Sequence, residues 1–399
     1  MIDTASSLNI KPASASVVTS SQRQTFADEL RGFALLGIVL VNAPFLGISS
    51  QGFTEASVAA WYDRLAAMGV IAFAQAKFYV LFSFLFGYSL HFIVKSDAPD
   101  ASRRFKRRLL GLGLLGALHA AFFFVFDILL LYAVLGFALL WLRLKSDRAV
   151  LQISATAAAL WIALLGTAAL LTWLAPAAPG EDPALALTRA LDSSLANGSF
   201  WQAAVARLEF WPLAFTMIGY LNGLGVLAMF GLGLVAGRQN LLADPQVHTK
   251  LWRAGLFWGW GLGLPMGVAS AWLLVGPGAS VASFGLRQTL GVIIGFAGAP
   301  LLTWGYVSVL AQLHIRSSRC MPFFRPAGRM SLTGYIGESV LLSSIFCGYG
   351  FGWLGQLGAA AITTCALGVW LALDVFAHWV QKRWKSGPLE SVLRRFSGA

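Results

Sequence analysis

Between residues 31 and 380 the chain passes repeatedly through runs of about twenty residues that carry hardly a charge. Such a run has few outlets. In a bilayer it spans as a helix, because a helix satisfies all of its backbone hydrogen bonds within itself. In water it would have to be buried whole. Composition decides between the two: 57% of the chain is apolar and 12% charged, about half the charged share of a soluble domain. Mean hydropathy is +0.70. Counting the 42 glycines brings the apolar share to about two-thirds, more than one soluble core could bury. The expected fold is therefore an all-α polytopic membrane bundle. Cys320, Cys347 and Cys365 offer neither a disulfide framework nor a metal spacing.

Ten spans are expected, at about 31–48, 70–94, 107–125, 127–143, 149–175, 209–237, 252–275, 284–312, 331–350 and 353–380. The stretch 107–143 contains almost no loop, but a continuous helix of that length would overrun a bilayer, so it must turn near Phe126–Asp127. Residues 1–25 read as a disordered tail, 26–175 as a five-helix half, 176–208 as an external loop, and 209–399 as a second five-helix half.

Net charge is +12, and its placement argues for a membrane rather than nucleic acid. With a cytoplasmic N-terminus, ten spans put 24 of the 29 basic residues on the cytoplasmic side and four (Arg64, Arg189, Arg207, Arg287) outside, with Lys77 inside a span. Removing one span would invert everything after it. Both termini are thus expected in the cytoplasm. No basic face is interleaved with base-stacking aromatics. No Walker A loop is present, and the pairs Gly111/Gly113, Gly231/Gly233 and Gly261/Gly263 lie inside apolar runs, where close helix packing explains them.

An ionisable group at bilayer depth costs several kcal/mol unless paired or wet, so each one asks for a reason. His119 lies eleven residues past Arg108, roughly 16 Å along a helix and near or just beyond the midplane, with Asp127 at the following turn. A neutral His beside a carboxylate has its tautomer fixed and its basicity raised, which suits a general base; the plainer alternative is a bond that ties two helices together. Arg31 and Asn42 are eleven apart on one face of the first span, and Asn42 is either an interhelical bond or a substrate contact. Lys77 needs a carboxylate, a carbonyl cage or an anion. Glu338, about seven residues into the ninth span, needs a partner too, and Lys77–Glu338 is one pairing that would serve both. His91, His314, Asp374 and His378 fall near cytoplasmic span ends, where snorkelling accounts for them. No single helix carries His, Asp or Glu at metal-ligand spacing, so no metal is expected.

The strings DELRGFALLGIVLVN (28–42), KFYVLFSFLFGYSL (77–90), ALHAAFFFVFDILLLYAVLG (117–136), GRMSLTGYIGESVL (328–341) and GPLESVLRR (387–395) resemble the YeiB-like family, in order along nearly the whole chain. These are bacterial inner-membrane proteins with a C-terminal domain of unknown function, distantly similar to transmembrane acyltransferases. The resemblance to that wider group rests on the first span, where D-x-L-R-G is followed eleven residues after the Arg by a polar residue, here Asn42 as in the heparan glucosaminide acetyltransferase group. That group carries its catalytic His a further eleven residues on; this chain has Phe53 there. A base would then have to come from another helix, as His119 with Asp127.

The resemblance implies a membrane enzyme that moves an acyl group from a cytoplasmic thioester such as acetyl-CoA to a hydroxyl or amine acceptor near the outer face. The acceptor would be a small molecule, a lipid or a glycan. His119 and Asp127 are then the catalytic candidates, and Asn42, Lys77 and Glu338 the substrate-binding ones. Arg31, Arg104, Arg107 and Arg108 would receive the donor's phosphates. Two readings stay open beside it: a transporter in which Lys77, Glu338, His119 and Asp127 form a solute or proton path, and a non-catalytic scaffold. The partners expected are the bilayer and a second copy of the chain as a homodimer.

Overall fold

A computed structural model describes residues 25–94, 99–174, 183–280, 285–317, 321–384 and 386–398. The expected N-terminal tail, up to residue 24, and residues 176–182 of the expected external loop lie outside the described residues, as does residue 175 before it. Among those described the fold is all-α, as the apolar runs require.

The helices are α1 (Thr25–Gly47), α2 (Trp61–Gly69), α3 (Lys77–Ile93), α4 (Pro99–Phe122), α5 (Leu129–Leu142), α6 (Asp147–Leu174), α7 (Pro183–Asn197) and α8 (Phe200–Arg238). They continue as α9 (Thr249–Trp258), α10 (Leu264–Val275), α11 (Leu286–Arg316), α12 (Phe324–Arg329), α13 (Ser331–Phe346), α14 (Ala359–Arg383) and α15 (Pro388–Ser397). Among the described residues, seven helical runs are long and apolar enough to cross a membrane: α1, α2–α3, α6, α8, the run ending in α10, α11 and α14. The other three expected spans are present as helices that miss that mark for visible reasons. Helix α4 opens on the charged stretch DASRRFKRR, while α5 and α13 are short, at 14 and 16 residues.

Hydrogen bonds between the connections support ten crossings independently of hydropathy, because they sort the turns into two alternating sets. In one set Arg143 donates to the Val94 carbonyl (3.1 Å), and Arg238 donates to the Arg143 carbonyl (2.7 Å) and to Asp147 (2.5 Å). Arg325 reaches Glu29 at the start of α1 (2.7 Å), and Gln381 reaches the Pro326 carbonyl (2.7 Å). In the other set Ser49 and the Ser50 amide bond Asp192 (2.6 and 2.8 Å), and the Gly348 amide bonds the Leu195 carbonyl (2.8 Å). The Gly355 amide bonds the Gly47 carbonyl (2.9 Å), and the Ala360 amide bonds Asp63 (2.8 Å). The first set marks what we call the Arg31 end of the bundle, the second the Asp192 end.

Small residues let the helices approach. A Cβ on Gly233 of α8 would overlap the Phe84 carbonyl of α3, and one on Gly87 of α3 would overlap the Phe230 carbonyl of α8, so each backbone lies in the groove of the other. Gly231 and Gly263 are likewise closed in, whereas Gly261 faces open space. Two crossings are irregular. The second passes from α2 through a π-turn (Val70–Ala74) to Ala76, whose φ of 67° is left-handed, before α3 begins. The seventh carries a π-turn at Gly259–Gly263 between α9 and α10. These two irregular crossings pack on one another, with Gly267 against the Ala72 carbonyl.

Candidate functional site

Helix α4 ends in a turn rich in phenylalanine, and both the Phe123 and Phe124 amides bond back to the His119 carbonyl (2.9 Å each). The chain reverses over 123–128, close to the expected break, and Asp127 caps the new helix by accepting from the Leu130 amide (3.1 Å). That reversal folds the last turn of α4 onto the first turn of α5. His119 Nδ1 lies 2.7 Å from Asp127 Oδ2. The Tyr335 hydroxyl of α13 donates to the same oxygen (3.3 Å), and its ring sits 5.1 Å from the His119 ring. His119 and Asp127 are 2% and 3% exposed.

The carboxylate is therefore fully engaged, and it can only accept. Nδ1 of His119 must carry the proton, which leaves Nε2 with its lone pair. Nε2 is buried with no hydrogen-bond partner among the described residues. A His–Asp contact that merely tied helices together would have no need of a buried, unsatisfied ring nitrogen. The site lies in the last turn of α4, toward the Asp192 end of the bundle.

Beside it, Arg207 of α8 donates to the Phe122 carbonyl, one of the orphan acceptors at the end of α4 (2.8 Å). It also reaches Cys347 Sγ (3.5 Å) and the Tyr349 hydroxyl (3.4 Å). Sequence reasoning placed Arg207 in an external segment, yet it is 1% exposed. It joins α4, α8 and the α13–α14 connection at the floor of the dyad.

The other expected residues are dispersed. Asn42 of α1 is half-buried and has no side-chain partner among the described residues. Lys77 is buried at the start of α3, where its Nζ donates to the Ile71 carbonyl left open by the π-turn (2.9 Å). It does not pair with Glu338, so that expectation is corrected: a carbonyl takes the place of the carboxylate. Glu338 is 2% exposed, and its Oε2 has no hydrogen-bond partner among the described residues. Arg31 pairs with Asp28 and donates to Ser89 (2.6 Å). Arg104, Arg107 and Arg108 are exposed on the first turns of α4, and none is within ion-pair distance of a carboxylate among the described residues.

Two snorkelling expectations are also corrected. His314 bonds the fully buried Glu29 (2.9 Å), and Asp374 is only 1% exposed. Sequence reasoning missed Glu29, held by His314 and Arg325 from two other elements, and it missed Tyr335. Among the described residues no group of three His, Cys, Asp or Glu side chains is placed to hold a metal ion.

Residues 236–399 match the family described as "Protein of unknown function (DUF418)". Along 94% of its length the chain is 28% identical to the uncharacterized protein YxaH of Bacillus subtilis, covering 94% of that protein. It is 24% identical to the uncharacterized protein YeiB of Escherichia coli, over 94% of this chain and 96% of that one. A shorter match, 40% identical over 99 residues, is to an uncharacterized 39.9 kDa protein of Bacillus acidopullulyticus; it spans 24% of this chain and 27% of that one. No solved structure matches the chain.

Proposed function

We propose that this YeiB-like, multi-pass membrane protein with its C-terminal DUF418 region is an acyltransferase of the bacterial inner membrane, both termini cytoplasmic, with His119 as its general base. The observation that carries the reading is the unpartnered, buried Nε2 of a histidine whose other nitrogen is fixed by Asp127. In the step proposed, Nε2 takes the proton of an acceptor hydroxyl or amine. The freed pair attacks the carbonyl carbon of a thioester, the C–S bond breaks, and the leaving thiolate recovers the proton from His119. Asp127 holds the imidazolium while it exists, and Tyr335 holds Asp127.

The donor suited to this geometry is polyanionic at one end and reactive at the other, as acetyl-CoA is. Arg104, Arg107 and Arg108 are exposed guanidinium groups with no ion pair to a carboxylate among the described residues, the chemistry that polyphosphate needs. From Arg108 to His119 the helix rises roughly 16 Å, comparable with an extended pantetheine arm. Calorimetry with acetyl-CoA on purified protein tests the donor site: binding should be salt-sensitive and weakened at least tenfold by R104E with R107E. No heat and no thermal shift at millimolar ligand would end the reading.

One observation favours the alternative, a transporter of a small solute. The second crossing is discontinuous, with a left-handed Ala76 and a π-turn at membrane depth, and irregular backbone there is tolerated where it is buried in protein or lines a path. In this chain α11 stitches the break closed, Tyr306 bonding the Phe73 carbonyl (2.7 Å) and Thr303 the Lys77 carbonyl (2.8 Å).

A further inference from the structure

Helices α13 and α14 enclose a second polar site, on the Arg31 side of mid-bundle and separate from the dyad. Glu338 and Asp374 line one cavity of about 10 Å³, room for about one water molecule. They are 2% and 1% exposed. Glu338 Oε2, both carboxylate oxygens of Asp374 and the indole Nε1 of Trp370, which lines the same cavity, have no hydrogen-bond partner among the described residues.

Among the described residues no Lys or Arg pairs with either acid, and His378 is the one ionisable base within reach of Asp374. From α1, Arg31 is spent on Asp28 and Ser89, and Glu29 is held by His314 and Arg325. From α12, Arg325 is on Glu29 and Arg329 on Asp28. From α15, Glu390 is held by the Leu332 and Thr333 amides and the Thr333 hydroxyl, and Arg394 donates to Ser386. From α2, Asp63 is bonded to the Ala360 amide at the far end of α14. On α14 itself Lys382 and Arg383 lie one to two turns beyond His378, whose side chain is 38% exposed. His378 Nδ1 donates to the Asp374 carbonyl (2.9 Å) and stands 3.2 Å from Asp374 Oδ2, without hydrogen-bond geometry to it.

Two buried carboxyls facing one cavity, with the half-exposed His378 imidazole beside Asp374 as the one neighbouring group among the described residues able to carry a counter-charge, cannot both be ionised. A hard metal ion would ask for about six oxygens, more than this cavity offers, and the indole N–H is a donor that a cation would repel. We infer that Glu338 and Asp374 form a binding site for one exchangeable proton, with a water between them, loaded from the Arg31 end of the bundle through His378. The proton leaves the His378 imidazolium for Asp374 and passes by way of the water to Glu338. His378 then takes another from solvent. This inference rests on neither reading of the dyad.

Carbodiimide labelling of the purified, folded full-length chain tests it, because dicyclohexylcarbodiimide adds to protonated carboxyls in apolar surroundings. Peptide mass spectrometry should find the label on Glu338 or Asp374, falling about tenfold or more between about pH 5 and pH 9. It should be indifferent to exchanging sodium for choline at equal ionic strength. D374N should move the pH midpoint of Glu338 labelling, and H378A, which removes the imidazole 3.2 Å from Asp374, should move the midpoint of Asp374 labelling to higher pH. No label on either acid over that range, in protein whose melting shows it folded, would overturn the inference. So would protection by sodium at fixed pH, which would make this a metal-ion site.

Discussion

Asp127 does two jobs that substitution can separate. Its Oδ1 caps α5 at the Leu130 amide, and its Oδ2 accepts from His119 and Tyr335. Asparagine caps a helix about as well as aspartate, so Asp127→Asn should cost about 1 kcal/mol or less in detergent melting. Yet its amide turns a donor toward Nδ1 and forces the proton onto Nε2, the nitrogen that must be free, so activity should vanish. Asp127→Ala loses the cap as well and strands two buried donors, at about 3 kcal/mol. Melting curves for the two variants check the split; an equal, large loss in both would make the pair helix glue. The His119–Asp127 pairing was legible because only eight residues and a short turn separate them. Tyr335 was not, since it arrives from 208 positions along the chain and tyrosines near run ends ordinarily mark the interface. Arg207 was misread for a related reason: a lone arginine beside a loop resembles a solvated one until Phe122, Cys347 and Tyr349 close around it.

At the scale of elements, helix existence was legible in all ten places while helix continuity was not. Nothing in VIAFAQAKFYV announces a break, because no proline or glycine stands there; the irregularity is imposed by packing against α10 and α11. Ala76 accordingly holds a left-handed backbone that costs an L-residue with a Cβ about 1 kcal/mol. Ala76→Gly should therefore raise stability by up to about 1 kcal/mol, and Ala76→Val should lower it by more than that. Thermal unfolding in a single detergent checks both, and a destabilised glycine variant would mean that the break is not held as described. Lys77, expected to find a carboxylate or a carbonyl cage, found a carbonyl: the Ile71 oxygen that the π-turn leaves open.

At the scale of the whole molecule, charge asymmetry in the sequence and hydrogen bonding in the structure arrive separately at ten alternating crossings. The loops rich in Lys and Arg are those that bond with one another around Arg31, Arg143 and Arg238. The two halves of the chain interlock, with α3 crossing α8 at Gly87 and Gly233, and α1 seated against α12 at Gly32 and Gly328. Reporter fusions after residues 100, 245, 320 and 399 should all report cytoplasm, and one at 190 the outside. A C-terminal fusion reporting the outside would contradict ten crossings. What remained illegible at this scale is where the polar residues would gather. Asn42, His119, Lys77 and Glu338 all read as deep, but only three-dimensional packing separates the dyad at the Asp192 end from the acid pair nearer the Arg31 end. The central claim, that His119 Nε2 is a base for acyl transfer, meets its most direct test in inverted membrane vesicles supplied with acetyl-labelled CoA. Wild-type vesicles should release free thiol and carry the label to an acceptor in the lumen, while H119A and D127N vesicles with equal amounts of folded protein should do neither. Thiol release that continues unchanged in H119A would contradict the account.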